Sequence, residues 1–311
     1  MKHNEPLLEI KNLSVSFQMY TKLTEKQELK VISNLSLSVK PGEILAIVGS
    51  SGSGKSLLAH AILGILPENA VTCGEMTYKG KTLTPSYQQE LRGEEMALVP
   101  QSVSYLNPLM KVSQQVIGHK DKAKGMSALK KVFNRLGLDE QTETMYPFQL
   151  SGGMARRVLV STAVVGDAKL IIADEPTPGM QLEQAIEALT IFRELADEGK
   201  GVILITHDID LALKIADKVA IFYAGTTLEV LKPQDFLAGE EGLRHPYSKA
   251  LYRAMPQNGF EPLPGFQPYA DSVMHGCPFV PRCASCTSKC KEELPPMTEV
   301  REGWVRCYNA T

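Results

Sequence analysis

The sequence predicts an α/β fold: a mainly parallel sheet with flanking helices, built around a glycine-rich loop between a strand and a helix. The short apolar run at residues 44–48 leads through a glycine-rich turn into a helical pattern, and further short apolar runs alternate with helical segments downstream. Two segments in which apolar and polar residues alternate precede this run, and they predict a small antiparallel β layer beside the main sheet. A cysteine-rich end predicts a small C-terminal extension.

Length and composition limit the classes of protein. The 311 residues predict one large domain with an appendage, or two domains, and a hydrophobic content of 43% is ordinary for a globular chain. A formal net charge of −2 argues against a nucleic-acid partner. Neither a membrane-spanning apolar run nor a secretory signal is found, so we expect a cytoplasmic location.

The antiparallel layer is predicted from the first 80 residues. Residues 7–17 and 31–39 alternate between apolar and polar side chains, as half-buried strands do. Residues 20–30 between them are polar, and we expect an exposed loop there. Residues 75–78 are a further candidate strand, ending in a glycine turn.

The glycine-rich turn has the spacing of a phosphate-binding loop between a buried strand and a helix. Its glycines let successive N–H groups surround phosphate oxygens, and the following helix N-terminus favours negative charge. The lysine would reach the β- and γ-phosphates, and the last serine would ligate Mg²⁺. The nucleotide-binding residues predicted here are Gly49, Ser50, Ser51, Gly52, Ser53, Gly54, Lys55, Ser56 and Leu57.

A helical subdomain is predicted at about residues 101–166. In one helix Leu129, Val132, Phe133 and Leu136 recur at helical spacing, with basic residues between them. Such a helix can dock on a membrane surface or pack inside a helical subdomain, and the second alternative is favoured. A second helix is predicted from about residue 154 to 165.

Three further segments have residues suited to ATP chemistry. Asp174 and Glu175 follow an apolar strand, where one carboxylate can support Mg²⁺ and the next can polarise a water molecule. His207 ends the next strand, which we expect to lie beside the first, and is assigned to the γ-phosphate and the attacking water. Ser151 and two glycines open a helix and form another anion-binding N-terminus, although this motif alone is weak.

Together, these motifs and Gln101 resemble the ATP-binding cassette (ABC) ATPases over roughly residues 7–233. The resemblance implies a RecA-like core, a head-to-tail dimer, Glu175 as the catalytic base and His207 as the switch residue. It also implies that Gln101 senses the γ-phosphate and the transmembrane partner and, with Ser56 and Asp174, serves the Mg²⁺ site. Ser151, Gly152 and Gly153 would complete the opposite subunit's site. Phe17 would stack on adenine, and Tyr20 is close enough in sequence to take this role instead. Alternatively, Phe17 is a residue of the strand core with no role in binding.

The chain departs from the family pattern at two positions. Met154 replaces the usual glutamine after the Ser-Gly-Gly motif, a variant that resembles the cassettes of peptide and nickel importers. Gln181 replaces an acid that, in the family, couples the two sites of the dimer. We therefore expect a heterodimer with unequal sites, of which the site built on this chain's phosphate loop is competent in hydrolysis.

The composition changes after about residue 233, which predicts an ATPase domain at residues 1–233 and an extension at 234–311. A short helix begins near His245, and residues 255–274 have the composition of an extended linker. Cysteines crowd the last 35 residues, which in a reducing compartment indicates a metal site. Both parts of the extension resemble the C-terminal segment of oligopeptide and dipeptide importer ATPases.

That resemblance implies a [4Fe–4S] cluster held by Cys277, Cys283, Cys290 and Cys307. Cys286 lies outside the pattern, and its spacing from Cys283 keeps zinc open as the alternative. We expect a structural role for this site.

The leading hypothesis is an ATPase subunit that powers a membrane importer of di- or oligopeptides. Its expected partners are a second ATPase subunit, two transmembrane permease subunits and, through them, an extracytoplasmic solute-binding protein. The chain would lie on the cytoplasmic face of the membrane. One alternative is the same role in an importer of nickel or a metal chelate, and another is a soluble ATPase with no role in transport. A third class, a redox protein that binds nucleotide incidentally, does not explain the full set of ATPase motifs.

Overall fold

The computed structural model describes residues 5–22, 25–118, 122–268 and 275–311. Its strands are β1 (Leu8–Lys22), β2 (Glu25–Val39), β3 (Ile44–Val48), β4 (Ala70–Tyr78), β5 (Lys81–Thr82), β6 (Met96–Val99), β7 (Leu170–Asp174), β8 (Gly201–Thr206), β9 (Lys218–Tyr223), β10 (Thr226–Leu231), β11 (Thr298–Val300) and β12 (Gly303–Val305). Its α-helices are α1 (Lys55–Leu63), α2 (Pro85–Leu91), α3 (Val112–Ile117), α4 (Lys122–Arg135), α5 (Gly152–Val164), α6 (Leu182–Asp197), α7 (Ile209–Ile215), α8 (Pro233–Leu237), α9 (Pro246–Arg253) and α10 (Ser288–Glu292).

The larger sheet has the strand order β11-β12-β10-β9-β3-β8-β7-β6. Strands β6, β7, β8, β3 and β9 run parallel, and every residue of β3, β7 and β8 is buried. This two-sided burial explains the continuous apolar runs in the sequence. Strand β7 pairs with β8, with Asp174 opposite Ile205, so the predicted neighbourhood of these two strands is confirmed.

The smaller sheet is antiparallel, with the order β2-β1-β4-β5. The expectation of an exposed loop at residues 20–30 is wrong, because β1 and β2 continue through most of that range as a hairpin; residues 23–24 lie outside the described residues. Phe17 pairs with Leu29 and Gln18 with Glu28. Backbone pairing satisfies the N–H and C=O groups here whatever the side chains are, so polar composition alone does not exclude a strand.

The helical segment between β6 and β7 contains α3, α4 and α5. On α4, Leu129 and Phe133 are buried, as is Leu136 just beyond it, whereas Lys130 and Lys131 are exposed. These apolar side chains belong to the core cluster that also includes residues of α5 and α6. The apolar face is therefore covered by protein, which supports the packed alternative over docking on a membrane.

The C-terminal hairpin β11–β12 extends the main sheet, because β12 pairs with β10. A buried ion pair reinforces this edge: Arg244 Nη1 lies 3.4 Å from Glu229 Oε1, and Arg244 also donates to the carbonyl oxygen of Val300. Glu229 Oε1 and Oε2 accept hydrogen bonds from the backbone N–H groups of Arg244 and His245, respectively. The domain boundary near residue 233 stays a prediction, and the extension is joined to the main sheet through these contacts.

Replacing Arg244 by Met is expected to lower the free energy of unfolding by about 3–5 kcal/mol, because Glu229 would keep a buried charge without its partner. The control is Lys232→Met, which breaks the exposed pair with Glu302 and should cost about 0–1 kcal/mol. Urea denaturation of both variants measures the difference. Equal midpoints for the two variants would contradict this assignment.

Candidate functional site

The phosphate loop at residues 49–54 joins β3 to α1. Gly54 is the N-cap of α1 and adopts φ 99°, in the left-handed region that favours glycine. At Gly49 a Cβ atom would lie 2.3 Å from the carbonyl oxygen of Phe222, so only glycine allows β9 to approach so closely. Two of the loop's glycines are therefore required by its backbone conformation and by its packing.

The Lys55 side chain is buried and folded against its own loop. Its Nζ donates hydrogen bonds to the carbonyl oxygens of Gly49 (2.8 Å) and Ser50 (2.7 Å). Burial lowers the pKa of Lys55, while the charges of Glu175 and Asp174 act in the opposite direction. The ammonium group thus lies within the loop that is predicted to bind phosphates.

Asp174 ends strand β7 as a buried carboxylate. Burial raises its pKa, and a hydrogen bond with Ser56 opposes that shift. Within the described residues, Asp174 Oδ1 has no hydrogen-bond partner. A buried carboxylate oxygen without a partner, beside a serine hydroxyl, has the hard oxygen chemistry that Mg²⁺ requires. The residues present therefore fit the predicted ion.

Glu175 brings the three predicted catalytic residues together. Its Oε2 accepts a hydrogen bond from Gln101 Nε2 at 3.3 Å, and its Oε1 lies 3.3 Å from His207 Nδ1. Glu175 adopts φ 45°, which is uncommon for a residue with a side chain, and its N–H donates to the carbonyl oxygen of Ile205. Backbone strain of this kind is typical of functional sites.

Arg156 is a residue of this site that the sequence analysis missed. Its guanidinium donates to the carbonyl oxygens of Gln101 and, at 3.2 Å, Pro100, and so fixes the segment that carries Gln101. Burial lowers the pKa of Arg156, while the charges of Glu175 and Asp174 raise it. The neighbouring Arg157 donates instead to the carbonyl oxygens of Leu136 and Gly137. Nothing in the sequence distinguishes these adjacent arginines.

The Ser-Gly-Gly motif lies at the start of α5. Ser151 is the N-cap, and its hydroxyl accepts a hydrogen bond from the N–H of Met154 at 3.3 Å. Ser151 and Gly152 are exposed, and Gly153 is half-buried. Exposure of these groups at a helix N-terminus leaves them accessible to an anion or to another chain.

Phe17 lies on β1 and is half-buried against the core cluster of the antiparallel sheet, which Leu57 also contacts. This packing agrees with the alternative of a core strand residue. The adenine role of Phe17 stays a prediction, and the side chain of Tyr20 lies outside the described residues.

Three of the four cysteines named for the cluster act electrostatically on the fourth, Cys277. Burial raises the pKa of Cys277 to about 12, and the nearby thiols of Cys307, Cys283 and Cys290 raise it further. Cys286 acts electrostatically on Cys283, and its thiol donates to the carbonyl oxygen of Thr287. Across the described ranges, however, no three His, Cys, Asp or Glu side chains are arranged to hold a metal ion.

Comparison with known proteins decides the family. Residues 32–178 match the ABC transporter family model, and residues 228–290 match the C-terminal region of oligopeptide/dipeptide transporters. The oligopeptide transport ATP-binding protein OppD of Escherichia coli is 33% identical, over 98% of this chain and 93% of its own length. The chain belongs to the ATP-binding proteins of the oligopeptide/dipeptide ABC transporter family.

Other members of the family and a solved cassette agree with this. The dipeptide transport ATP-binding protein DppD of Bacillus subtilis is 33% identical, over 94% of this chain and 91% of its own. A dimeric bacterial ABC transporter cassette superposes with a TM-score of 0.62 at 25% identity, over 73% of this chain and 98% of its own. The predicted ABC ATPase fold and the predicted family are thereby confirmed. None of the described helices could cross a membrane.

Proposed function

We propose that this chain is the ATP-hydrolysing subunit of a membrane importer of di- or oligopeptides. The observation that carries the proposal is the position of Glu175 between Gln101 and His207, one residue after the buried Asp174. Bound ATP would lie with its phosphates in the loop at residues 49–56, and Mg²⁺ would be held by Ser56 and Asp174. Mg²⁺ supplies charge neutralisation of the phosphates and their orientation.

The residues of this chain divide the chemistry among them. Lys55 offers an ammonium group to phosphate oxygens. Glu175 accepts a hydrogen bond from Gln101 and lies beside His207, and in this proposal it takes a proton from the attacking water. Arg156 acts indirectly as a positioning residue, because it fixes the backbone of Gln101.

A second ATPase subunit is part of the proposal. The exposed Ser151 and Gly152 are suited to contact phosphate across a dimer interface. Gln181, at the N-cap of α6, lacks the charge of the acid that it replaces. We propose that the partner is a different ATPase subunit and that the two sites are unequal, with this chain's loop and Glu175 forming the hydrolytic one.

The permease subunits require a docking surface, and the segment after Gln101 supplies apolar groups for it. Val103, Tyr105, Leu109 and Met110 are all exposed, with Leu109 86% accessible. Because Gln101 contacts Glu175, a permease segment seated here would be adjacent to the site of hydrolysis. We propose that the chain lies on the cytoplasmic face of the membrane, with a solute-binding protein acting through the permease.

Leu109→Asp is expected to weaken assembly with the permease by about tenfold, because a charge would enter an apolar contact. The control is Leu237→Asp on α8, where the side chain is 68% exposed and distant in sequence from this segment. Co-purification from detergent-solubilised membranes measures assembly. Equal recovery of the permease with both variants would refute this docking surface.

Transport and non-transport functions are distinguished by what the chain purifies with. The full-length tagged chain, isolated from solubilised membranes, should retain two polytopic membrane proteins and a second ATPase subunit. Recovery on ribosomes would overturn the proposal. If the proteins recovered transport nickel or a metal chelate, the ATPase role would stand and the peptide substrate would not.

The extension is proposed to hold a [4Fe–4S] cluster on Cys277, Cys283, Cys290 and Cys307, with a structural role. Cys283, Cys290 and Cys307 all act electrostatically on Cys277, and the side chains of Thr287 and Asn309 lie close to the Cys290 sulfur, which suits such a group. Cys286 acts electrostatically on Cys283 and its thiol donates to the Thr287 carbonyl oxygen, but it lies outside the family pattern of four cysteines, so the proposal keeps a set of four.

Cys283→Ser is expected to abolish the broad visible absorbance and the iron and sulfide content of anaerobically purified protein, since one thiolate ligand is lost. Cys286→Ser is the matched control and should retain both. Stoichiometric zinc in the wild-type protein, without iron, would instead establish the zinc alternative.

A further inference from the structure

A segment that precedes the cysteine-rich end lies against the phosphate loop. The Ser50 hydroxyl donates a hydrogen bond to the side-chain oxygen of Gln267, with an O···O distance of 2.5 Å, across 217 positions of sequence. We call residues 263–268 the strap. The contact is unexpected from the sequence, which shows only a linker rich in proline and glycine here.

Arg282 anchors the strap at its other end. Its Nε donates to the carbonyl oxygen of Pro264 and its Nη2 to that of Leu263, both at 2.9 Å. Two hydrogen bonds from one guanidinium to adjacent carbonyls fix both the position and the direction of the strap. Arg282 directly precedes Cys283, so the strap is tied to the cysteine-rich extension.

The same arginine contacts the main sheet beside the loop. Arg282 Nη1 lies 3.3 Å from the hydroxyl oxygen of Tyr223, the last residue of β9. In the turn that follows, the N–H of Gly225 donates to the carbonyl oxygen of Ser53. Arg282 thus holds two segments, each of which forms a hydrogen bond with the phosphate loop.

Ser50 has a second role that gives the strap contact its consequence. The Ser50 carbonyl oxygen accepts hydrogen bonds from Lys55 Nζ at 2.7 Å and from the Ser53 hydroxyl at 2.8 Å. Phosphate oxygens compete with this carbonyl for the Lys55 ammonium group. A contact that fixes Ser50 therefore favours the loop conformation in which the Lys55 ammonium group is hydrogen-bonded to carbonyl oxygens of the loop.

We propose that Gln267 is a positioning residue of the phosphate loop, which opposes nucleotide binding by holding Ser50 in the conformation that engages Lys55. The inference rests on the proposed ATP role of the loop. The extension thereby influences nucleotide binding at the ATPase site through Gln267 and Arg282, both of which lie outside the phosphate loop.

The test is a double-mutant cycle on nucleotide affinity. Full-length protein is titrated with Mg·ADP by calorimetry, which avoids turnover. Gln267→Ala should bind about two- to tenfold more tightly than wild type, the effect of one neutral hydrogen bond. In a Ser50→Ala background the same substitution should have no effect, because its partner is missing. Phe266→Ala, at the adjacent side chain that is 89% exposed, is the control and should bind as wild type.

The outcomes separate the inference from the proposed function. Weaker or unchanged binding by Gln267→Ala overturns the inference, as does an equal effect in both Ser50 backgrounds. Unfolding midpoints equal to that of the wild type show that the shift is not a folding defect. If wild type and Lys55→Ala both fail to bind nucleotide, the proposed function fails, and the inference falls with it.

Discussion

Replacing Glu175 by Gln is expected to reduce ATP hydrolysis by the assembled transporter about 10²- to 10⁴-fold, with nucleotide binding retained. A carboxylate can accept a proton from the attacking water, whereas an amide of the same size cannot. The substitution keeps a side-chain oxygen that can accept from Gln101, so the geometry is disturbed little. The measurement is phosphate release by the purified complex under saturating ATP.

The matched control for this variant is Glu183→Gln. Glu183 follows β7 in the sequence, as Glu175 does. It lies in the first turn of α6, and its side chain is exposed. Hydrolysis by this variant should equal that of the wild type. An unchanged rate in Glu175→Gln would remove Glu175 from the role of base and would also place the competent site elsewhere in the dimer.

Lys55→Ala is expected to weaken the binding of Mg·ATP about ten- to hundredfold. The loss corresponds to a hydrogen bond from a charged donor, about 1.5–3 kcal/mol. Because Lys55 is buried inside the loop, water can replace the ammonium group only poorly. Unlike Glu175→Gln, this variant should fail at binding, and equilibrium titration with a non-hydrolysable analogue measures it.

An exposed lysine supplies the control for Lys55→Ala. Lys11 on β1 pairs with Glu9 at the surface, and Lys11→Ala should leave nucleotide affinity unchanged. Affinity of Lys55→Ala within twofold of wild type would mean that the ammonium group does not reach the phosphates.

Local patterns were sufficient to predict much of the core sheet. The apolar runs that form β3, β7 and β8 are buried on both faces, so their apolar composition matches their position in the core of the sheet. Their carboxyl ends meet at one edge of the sheet, which is why the sequence pattern is sufficient to group Asp174, Glu175 and His207. The prediction of a loop at residues 20–30 is wrong because backbone pairing, rather than the side-chain pattern, forms the strands there.

Contacts between distant segments could not be predicted. Arg156 reaches the Gln101 carbonyl from α5, and Gln267 reaches Ser50 from the strap. Each is one hydrogen bond between groups that carry no periodic signal, so only the packed chain brings them together. The roles of the cysteines depend likewise on a bound group, because their spacing alone fits iron–sulfur or zinc chemistry.

Peptide uptake tests the central claim most directly. Proteoliposomes containing the assembled transporter and the solute-binding protein are supplied with ATP on the side of this chain, and labelled peptide is offered on the other. We expect ATP-dependent accumulation of peptide that is lost when the complex contains Glu175→Gln. Accumulation of peptide that is unaffected by this substitution, or transport of a metal ion without any transport of peptide, would contradict the account.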